Sequence, residues 1–295
     1  MRPSGFRTSE DRAAYAAIYD RAVRASPTSV SEHDVPTRFG TTHVVEAGDP
    51  ADPPLIALHA MSMSSAMWLP LLPVLTAGHH VLLLDAVGDL NLSVSTAPVA
   101  RPADVVAWID EVLAACDVDR ATFVGASKGS WMATRYALAR AERVERLALV
   151  CPVGLVSNLS RSFWTHSVPA VMVRPTPEKL GRFVDWMAMP TTLPLLEEEP
   201  WRDVKELFSC LGTFRANLRE AQPAKVDISP LAASEVPKLV LVGREERLHD
   251  GPQMAARFTE RWPTAGVHVV DDANHLVFIY QTEVVSALLG EFLQL

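Results

Sequence analysis

Thr122-Phe123-Val124-Gly125-Ala126-Ser127-Lys128-Gly129 runs from a short apolar strand signal through a turn into the helical pattern of 129–142. The G-x-S-x-G inside it has a physical meaning in this setting. A serine at the tip of a sharp strand-to-helix turn is held in strained backbone geometry with its hydroxyl exposed. Small residues two positions to either side let strand and helix pass closely. The helix that follows directs its positive end at the hydroxyl. Alone, the five-residue pattern equally describes a structural turn. The strand before it and the helix after it make Ser127 a candidate nucleophile.

Further apolar runs at 55–58, 81–84, 147–150 and 239–242 end as abruptly in small or polar residues, and helical patterns fill 65–76 and 103–115. Short wholly apolar runs alternating with amphipathic helices indicate a parallel sheet covered on both faces. The expected fold class is α/β. Ahead of the alternation, residues 8–24 repeat at helical spacing behind Thr8 or Ser9 as N-cap, and Asp34–Ala47 alternates around Phe39-Gly40-Thr41-Thr42 as a hairpin. The rhythm stops after Cys151. Residues 154–230 have no strand pattern, helical stretches near 178–189 and 201–220, and eight of the chain's 22 prolines. It resumes at Val236. The expected organisation is a core formed by 1–153 and 231–295, with 154–230 inserted as a helical cap whose prolines punctuate short helices.

A serine nucleophile needs a base. His275, in Asp271-Asp272-Ala273-Asn274-His275, follows the apolar run Val267–Val270, where loops at strand ends gather catalytic groups. A third group should orient the imidazole and stabilise its cation. It is sought in Gly243-Arg244-Glu245-Glu246-Arg247-Leu248-His249-Asp250. Glu246 is the first choice. Asp250 is the alternative acid, although it also suits the N-cap of a helix over 252–261, and Glu245 is expected to face solvent. The order Ser127, Glu246, His275 agrees with this architecture. Backbone donors for a developing oxyanion are expected from Lys128 N–H and from the turn His59-Ala60-Met61-Ser62, with Met61 N–H the choice there. His59 reads as a brace for that turn, and Ser62, Ser64 and Ser65 as capping residues.

The chain has 295 residues, 48% hydrophobic and 21% charged, which suits a sizeable core. Its 27 basic and 35 acidic residues leave a net charge of −8, which argues against a nucleic-acid surface. Cys116, Cys151 and Cys210 share no metal-ligand spacing and read as reduced structural thiols. No apolar segment follows Met1-Arg2-Pro3-Ser4-Gly5, and no run approaches the ~18 residues of a membrane helix. A cytoplasmic protein off the membrane is expected; a homodimer is left open.

The segments Thr37-Arg38-Phe39-Gly40-Thr41-Thr42-His43, Leu58-His59-Ala60-Met61-Ser62-Met63-Ser64-Ser65-Ala66-Met67-Trp68 and Asp85-Ala86-Val87-Gly88-Asp89-Leu90-Asn91-Leu92-Ser93, with G-x-x-E at Gly243–Glu246, resemble the α/β-hydrolase superfamily, in its bacterial carboxylesterase-like branch. That resemblance implies a core sheet of about eight strands, a helical cap and no cofactor. Two positions depart from it. Ala60 stands where the oxyanion turn usually has glycine. Lys128 stands where an apolar residue is common: either its stem packs while the ammonium reaches water, or it meets a substrate group or Glu246.

The leading expectation is a serine hydrolase acting on a small apolar ester, thioester or lactone through an acyl-enzyme on Ser127. Phe163, Trp164, Phe183, Trp186 and Met187 would wall the substrate, although each serves equally well as cap-on-core packing. The alternative is an acyl transferase, cyclase or lyase of specialised metabolism, motivated by Ala60 and Lys128. A ligand receptor that kept the triad is the third.

Overall fold

A computed structural model describes residues 3–173, 175–189 and 193–294; Met1, Arg2 and Pro190 of the readings above lie outside the described residues. Nine strands build one sheet: β1 (Val30–Thr37), β2 (Gly40–Ala47), β3 (Pro54–Leu58), β4 (His80–Leu84), β5 (Val94–Ser95), β6 (Ala121–Ala126), β7 (Val144–Val150), β8 (Lys238–Gly243) and β9 (Gly266–Val270). Their order is β9-β8-β7-β6-β3-β4-β2-β1, with β5 pairing β2. From β9 to β4 every pairing is parallel; β2 joins β4, β1 and β5 antiparallel. The ninth strand, β5, is two residues long, too short to leave a periodic signal.

The runs are wholly apolar because neighbouring side chains enter opposite cores. Leu55 and Ala57 of β3, with Val124 and Ala126 of β6, join one cluster, which also takes Tyr15, Leu289 and Phe292. Ile56, Leu58 and Phe123 join the other, with Trp108, Trp131 and Phe258. Helix α1 (Ser9–Arg24) thus covers one face; α2 (Pro102–Ala115) and α3 (Lys128–Ala139) cover the other. Thr8 is the N-cap of α1, in a capping box with Asp11. The hairpin turns at Arg38-Phe39, ahead of the expected centre, because Thr37 pairs with Gly40. The helix expected over 65–76 is 3₁₀ through Leu71 and α only over Leu72–Leu75; Pro70 lacks the N–H an α-helix would bond.

Within 154–230 lie α4 (Arg161–Ser167), α5 (Pro177–Met187) and α6 (Trp201–Ser209). The helix expected to reach 220 stops at Ser209. A 3₁₀ turn follows, and then Phe214–Arg215, which pairs with Gly5–Phe6 in a two-stranded ribbon. The rings of Phe6 and Phe214 meet edge-on at 5.4 Å across this ribbon. Arg21 of α1 donates to the buried Asp203 of α6 at 2.8 Å, docking the two helices. Next in sequence, α7 (Gly251–Arg261) packs on β8 and β9, and α8 (Thr282–Gln294) closes the chain. Among the described residues no helix is long and apolar enough to cross a membrane.

Helix α3 crosses the end of β3 with no room to spare. A Cβ on Gly129 would stand 2.0 Å from the Leu58 carbonyl oxygen, and one on Gly125 2.5 Å from the Gly129 backbone. Backbone cannot swing aside as a side chain can. Gly129→Ala should therefore lower the unfolding free energy in urea by about 1–3 kcal/mol or more, while Gly181→Ala, where a Cβ meets nothing within 4 Å, should not lower it.

Candidate active site

Ser127 joins β6 to α3 with φ +50° and ψ −111°, outside the regions ordinary residues occupy. Its N–H donates to Val150 O at 2.9 Å, and Ser130 Oγ donates to Gly125 O at 2.6 Å, so both sides of the turn are tied to the sheet. The hydroxyl meets His275 at the same edge. Ser127 Oγ lies 3.0 Å from His275 Nε2, and His275 Nδ1 lies 2.8 Å from Glu246 Oε2. A carboxylate can only accept, so the ring proton sits on Nδ1 and Nε2 is left to accept from the serine. All three residues are buried.

Burial pushes the Glu246 carboxyl up. The adjacent His275, by charge and hydrogen bond, and the Leu248 N–H pull it further down, so it sits below the ordinary carboxylate range. Glu246 Oε1 accepts that N–H at 2.8 Å. Asp250 instead caps α7, accepting from Gln253 N–H at 2.9 Å. Glu245 does not simply face solvent: its Oε2 accepts Ala273 N–H at 3.0 Å, bracing the histidine loop against the acid loop.

Cys151 ends β7 beside this pair, at φ +43°. Its thiol donates to Asn274 O at 3.7 Å. Burial, reinforced by Glu246, holds the thiol's pKa well above the ordinary cysteine value. Cys151, Glu246 and His275 present potential ligand atoms within 4.8 Å of one another. The imidazole and carboxylate atoms already face each other across their 2.8 Å hydrogen bond. The cluster therefore suits proton transfer. Nothing in the spacing of three scattered cysteines could have signalled this contact.

The second donor is expected from the turn after β3. Met63 N–H goes to Ala60 O, Ser62 N–H to Asp89 Oδ1 and Ala60 N–H to Met67 Sδ, and among the described residues none of these bonds engages Met61 N–H. Lys128 N–H opens α3 and has no carbonyl one turn back within the helix. His59 Nε2 accepts Ala86 N–H at 2.8 Å and its Nδ1 donates to Ala60 O at 2.7 Å, the bracing role expected of it. Ser64 precedes the 3₁₀ helix without a side-chain cap.

Of the courses expected for the Lys128 ammonium, those to water and to Glu246 are not taken. The ammonium is buried and donates to Asp89 Oδ2 at 3.1 Å. Asp89 itself is lifted by burial but lowered more by Lys128 and His59, and stays below the ordinary range.

The five expected wall residues form a continuous patch. Phe163 meets Trp164 and Phe183, and Phe183 stacks on Trp186 at 5.8 Å. Phe183 and Met187 are buried in the same apolar cluster as Leu248 and Leu276, close in sequence to Glu246 and His275; Trp164 is exposed. One backbone bond and one side-chain bond tie this region to the acid loop: Ser160 N–H donates to Leu248 O at 2.7 Å, and Arg247 Nη1 to Trp186 O at 2.6 Å. A cleft of about 400 Å³ between Arg120, Glu145 and Glu235 lies at the opposite end of the strands from Ser127.

The family described as alpha/beta hydrolase fold matches residues 53–282. The chain belongs to that family. It is a carboxylesterase-like hydrolase within it. Carboxylesterase YbfK of Bacillus subtilis is 25% identical over 282 residues, covering 93% of this chain and 92% of its own. A pimeloyl-[acyl-carrier protein] methyl ester esterase of Aeromonas hydrophila is 25% identical over 236 residues, 77% of this chain and 90% of its own. The crystal structure of naproxen esterase from B. subtilis shares the fold, with a TM-score of 0.87, 22% identity, and coverage of 97% of this chain and 99% of that one.

A carboxyl held low in the native state stabilises it above its ordinary pKa of about 4.3, and that contribution is lost as pH falls through the lowered native value. Glu246→Gln removes the titrating group. At pH 7 the variant should be less stable by about 1.5–3 kcal/mol, and urea unfolding at a series of pH values should show the gap narrowing below about pH 4.

Proposed function

We propose that this hydrolase cleaves small, apolar carboxylic esters, thioesters or lactones through an acyl-enzyme on Ser127. The observation that carries the reading is the 3.0 Å approach of Ser127 Oγ to His275 Nε2, backed by the 2.8 Å bond from His275 Nδ1 to Glu246. Ser127 Oγ attacks the acyl carbon while His275 Nε2 takes its proton. Glu246 stabilises the resulting imidazolium. The carbonyl oxygen, now an oxyanion, accepts from Lys128 and Met61 N–H. Collapse expels the alcohol, thiol or alkoxide end of the lactone, which takes the proton from His275. Water then attacks the acyl-serine with His275 as base, releasing acid and restoring Ser127. This sequence needs no cofactor.

Residues 154–230 serve as the cap in this reading. Their aromatic patch and its bonds to the acid loop support an apolar wall built from Phe163, Trp164, Phe183, Trp186 and Met187. The names of the carboxylesterase relatives support ester cleavage. The non-hydrolytic alternative drew on Ala60 and Lys128; the Lys128 ammonium is engaged by its buried bond to Asp89. Three free thiols suit a reducing cytoplasm.

Ser127→Ala should lower kcat/KM on p-nitrophenyl butyrate by about 1,000-fold or more, and a fluorophosphonate probe should label the native enzyme but not the variant. Retained turnover in Ser127→Ala would overturn the assignment.

A further inference from the structure

The turn carrying Met61 is knitted to the loop after β4 by buried groups of that loop. Asp85 accepts Ser65 N–H at 2.7 Å and Leu92 N–H at 3.1 Å. Asp89 Oδ1 accepts Ser62 N–H and Leu90 N–H, both at 2.9 Å. Ser62 is itself in the left-handed region, φ +59°, which a non-glycine residue holds only when its surroundings enforce it. Its N–H bond to Asp89 is one such restraint.

Asp89 has a second oxygen, and that oxygen reaches across to the serine. Oδ2 accepts from Lys128 Nζ at 3.1 Å, in a pair whose side chains are each about nine-tenths buried (10% and 9% exposed). Lys128 stands next to Ser127, and its own N–H is one of the two oxyanion donors proposed above. A single residue therefore offers one donor through its backbone and, through its side chain and Asp89, grips the turn that offers the other. We propose that the Lys128–Asp89 pair is the positioning device that sets the spacing of the two oxyanion donors; this rests on the esterase reading of Ser127.

A buried ion pair is weak evidence of a stabilising purpose, since an apolar pair of equal size often serves as well. Its directional bonds are what an apolar pair could not supply. Oxyanion stabilisation depends on donors placed where charge develops in the transition state, so a displaced turn affects the chemical step more than ground-state binding.

Lys128→Met keeps the stem and the backbone N–H and deletes only the ammonium. On p-nitrophenyl butyrate it should lower kcat by about 10- to 100-fold with KM within about threefold, and weaken inhibition by butylboronic acid, whose serine adduct places an oxygen in the same hole, by a similar factor. Lys128→Arg, which can still reach Asp89, should recover most of the rate. Should Lys128→Met fail to fold, Lys128→Met/Asp89→Asn removes both charges while the amide oxygen can still accept Ser62 N–H, and it should show the same kcat loss. A folded Lys128→Met or double variant with native kcat overturns the proposal. So does a loss confined to KM, which would make Lys128 a substrate contact. Ser127→Ala run alongside separates the two levels: if it remains active the esterase reading fails, whereas an inactive Ser127→Ala beside fully active Lys128 variants sinks only the positioning role.

Discussion

The backbone of Ser127 is the constraint from which the rest of the site follows. A residue at φ +50° and ψ −111° costs about 1–3 kcal/mol unless its neighbours leave it no alternative. Here the alternatives are removed from both sides. Val150 O holds the Ser127 N–H, and α3 lies so close to β3 that only glycine fits at 125 and 129. Buried packing on the two faces of the sheet sustains the strain. The turn points the serine hydroxyl at His275 Nε2 and aims the Lys128 N–H out of the helix. The acid and histidine loops leave β8 and β9 at the same edge, as the parallel order β9-β8-β7-β6 requires.

What could be read in the sequence follows from the range of each interaction. Strands with both faces buried announce themselves as unbroken apolar runs, so β3, β4, β6, β7 and β8 are legible to within a few residues. Ser127 and His275 are legible because each sits at a predictable turn after such a run. Glu246 was separated from Asp250 only by the structure, since both lie in one loop and differ in whether they face the imidazole or cap α7. The course of Lys128 was not legible. Its partner Asp89 is 39 positions away in a loop without periodicity. The same is true of Cys151 beside Glu246, of Glu245 on Ala273, and of the two-residue strands, whose pairing is decided by what the fold brings alongside.

Ionisable groups gather beneath this site. Asp85, Asp89, Lys128, Glu246 and His275 are all buried, yet each has a partner at hydrogen-bond distance. Such groups tolerate few geometries, because a displaced donor leaves a charge unmatched in a poorly screened interior. Apolar packing alone would let loops slide by fractions of an ångström. Carboxylates answering specific N–H groups fix the loops in register with the serine.

The ribbon between Gly5–Phe6 and Phe214–Arg215 ties the first residues of the chain to its middle, reinforced by Ser4 Oγ donating to Glu220 at 3.0 Å and Arg7 N–H to Thr213 O at 2.9 Å. On the ribosome, Phe6 is made before Phe214 and must wait for it. At about 5–20 residues per second that interval is roughly 10–40 s. Throughout it, the ring of Phe6 lacks its edge contact with Phe214 and the backbone beside it lacks its strand partner. The segment that helps clasp residues 212–220 is thus synthesised before them and docks late, which gives the nascent chain a period of exposure.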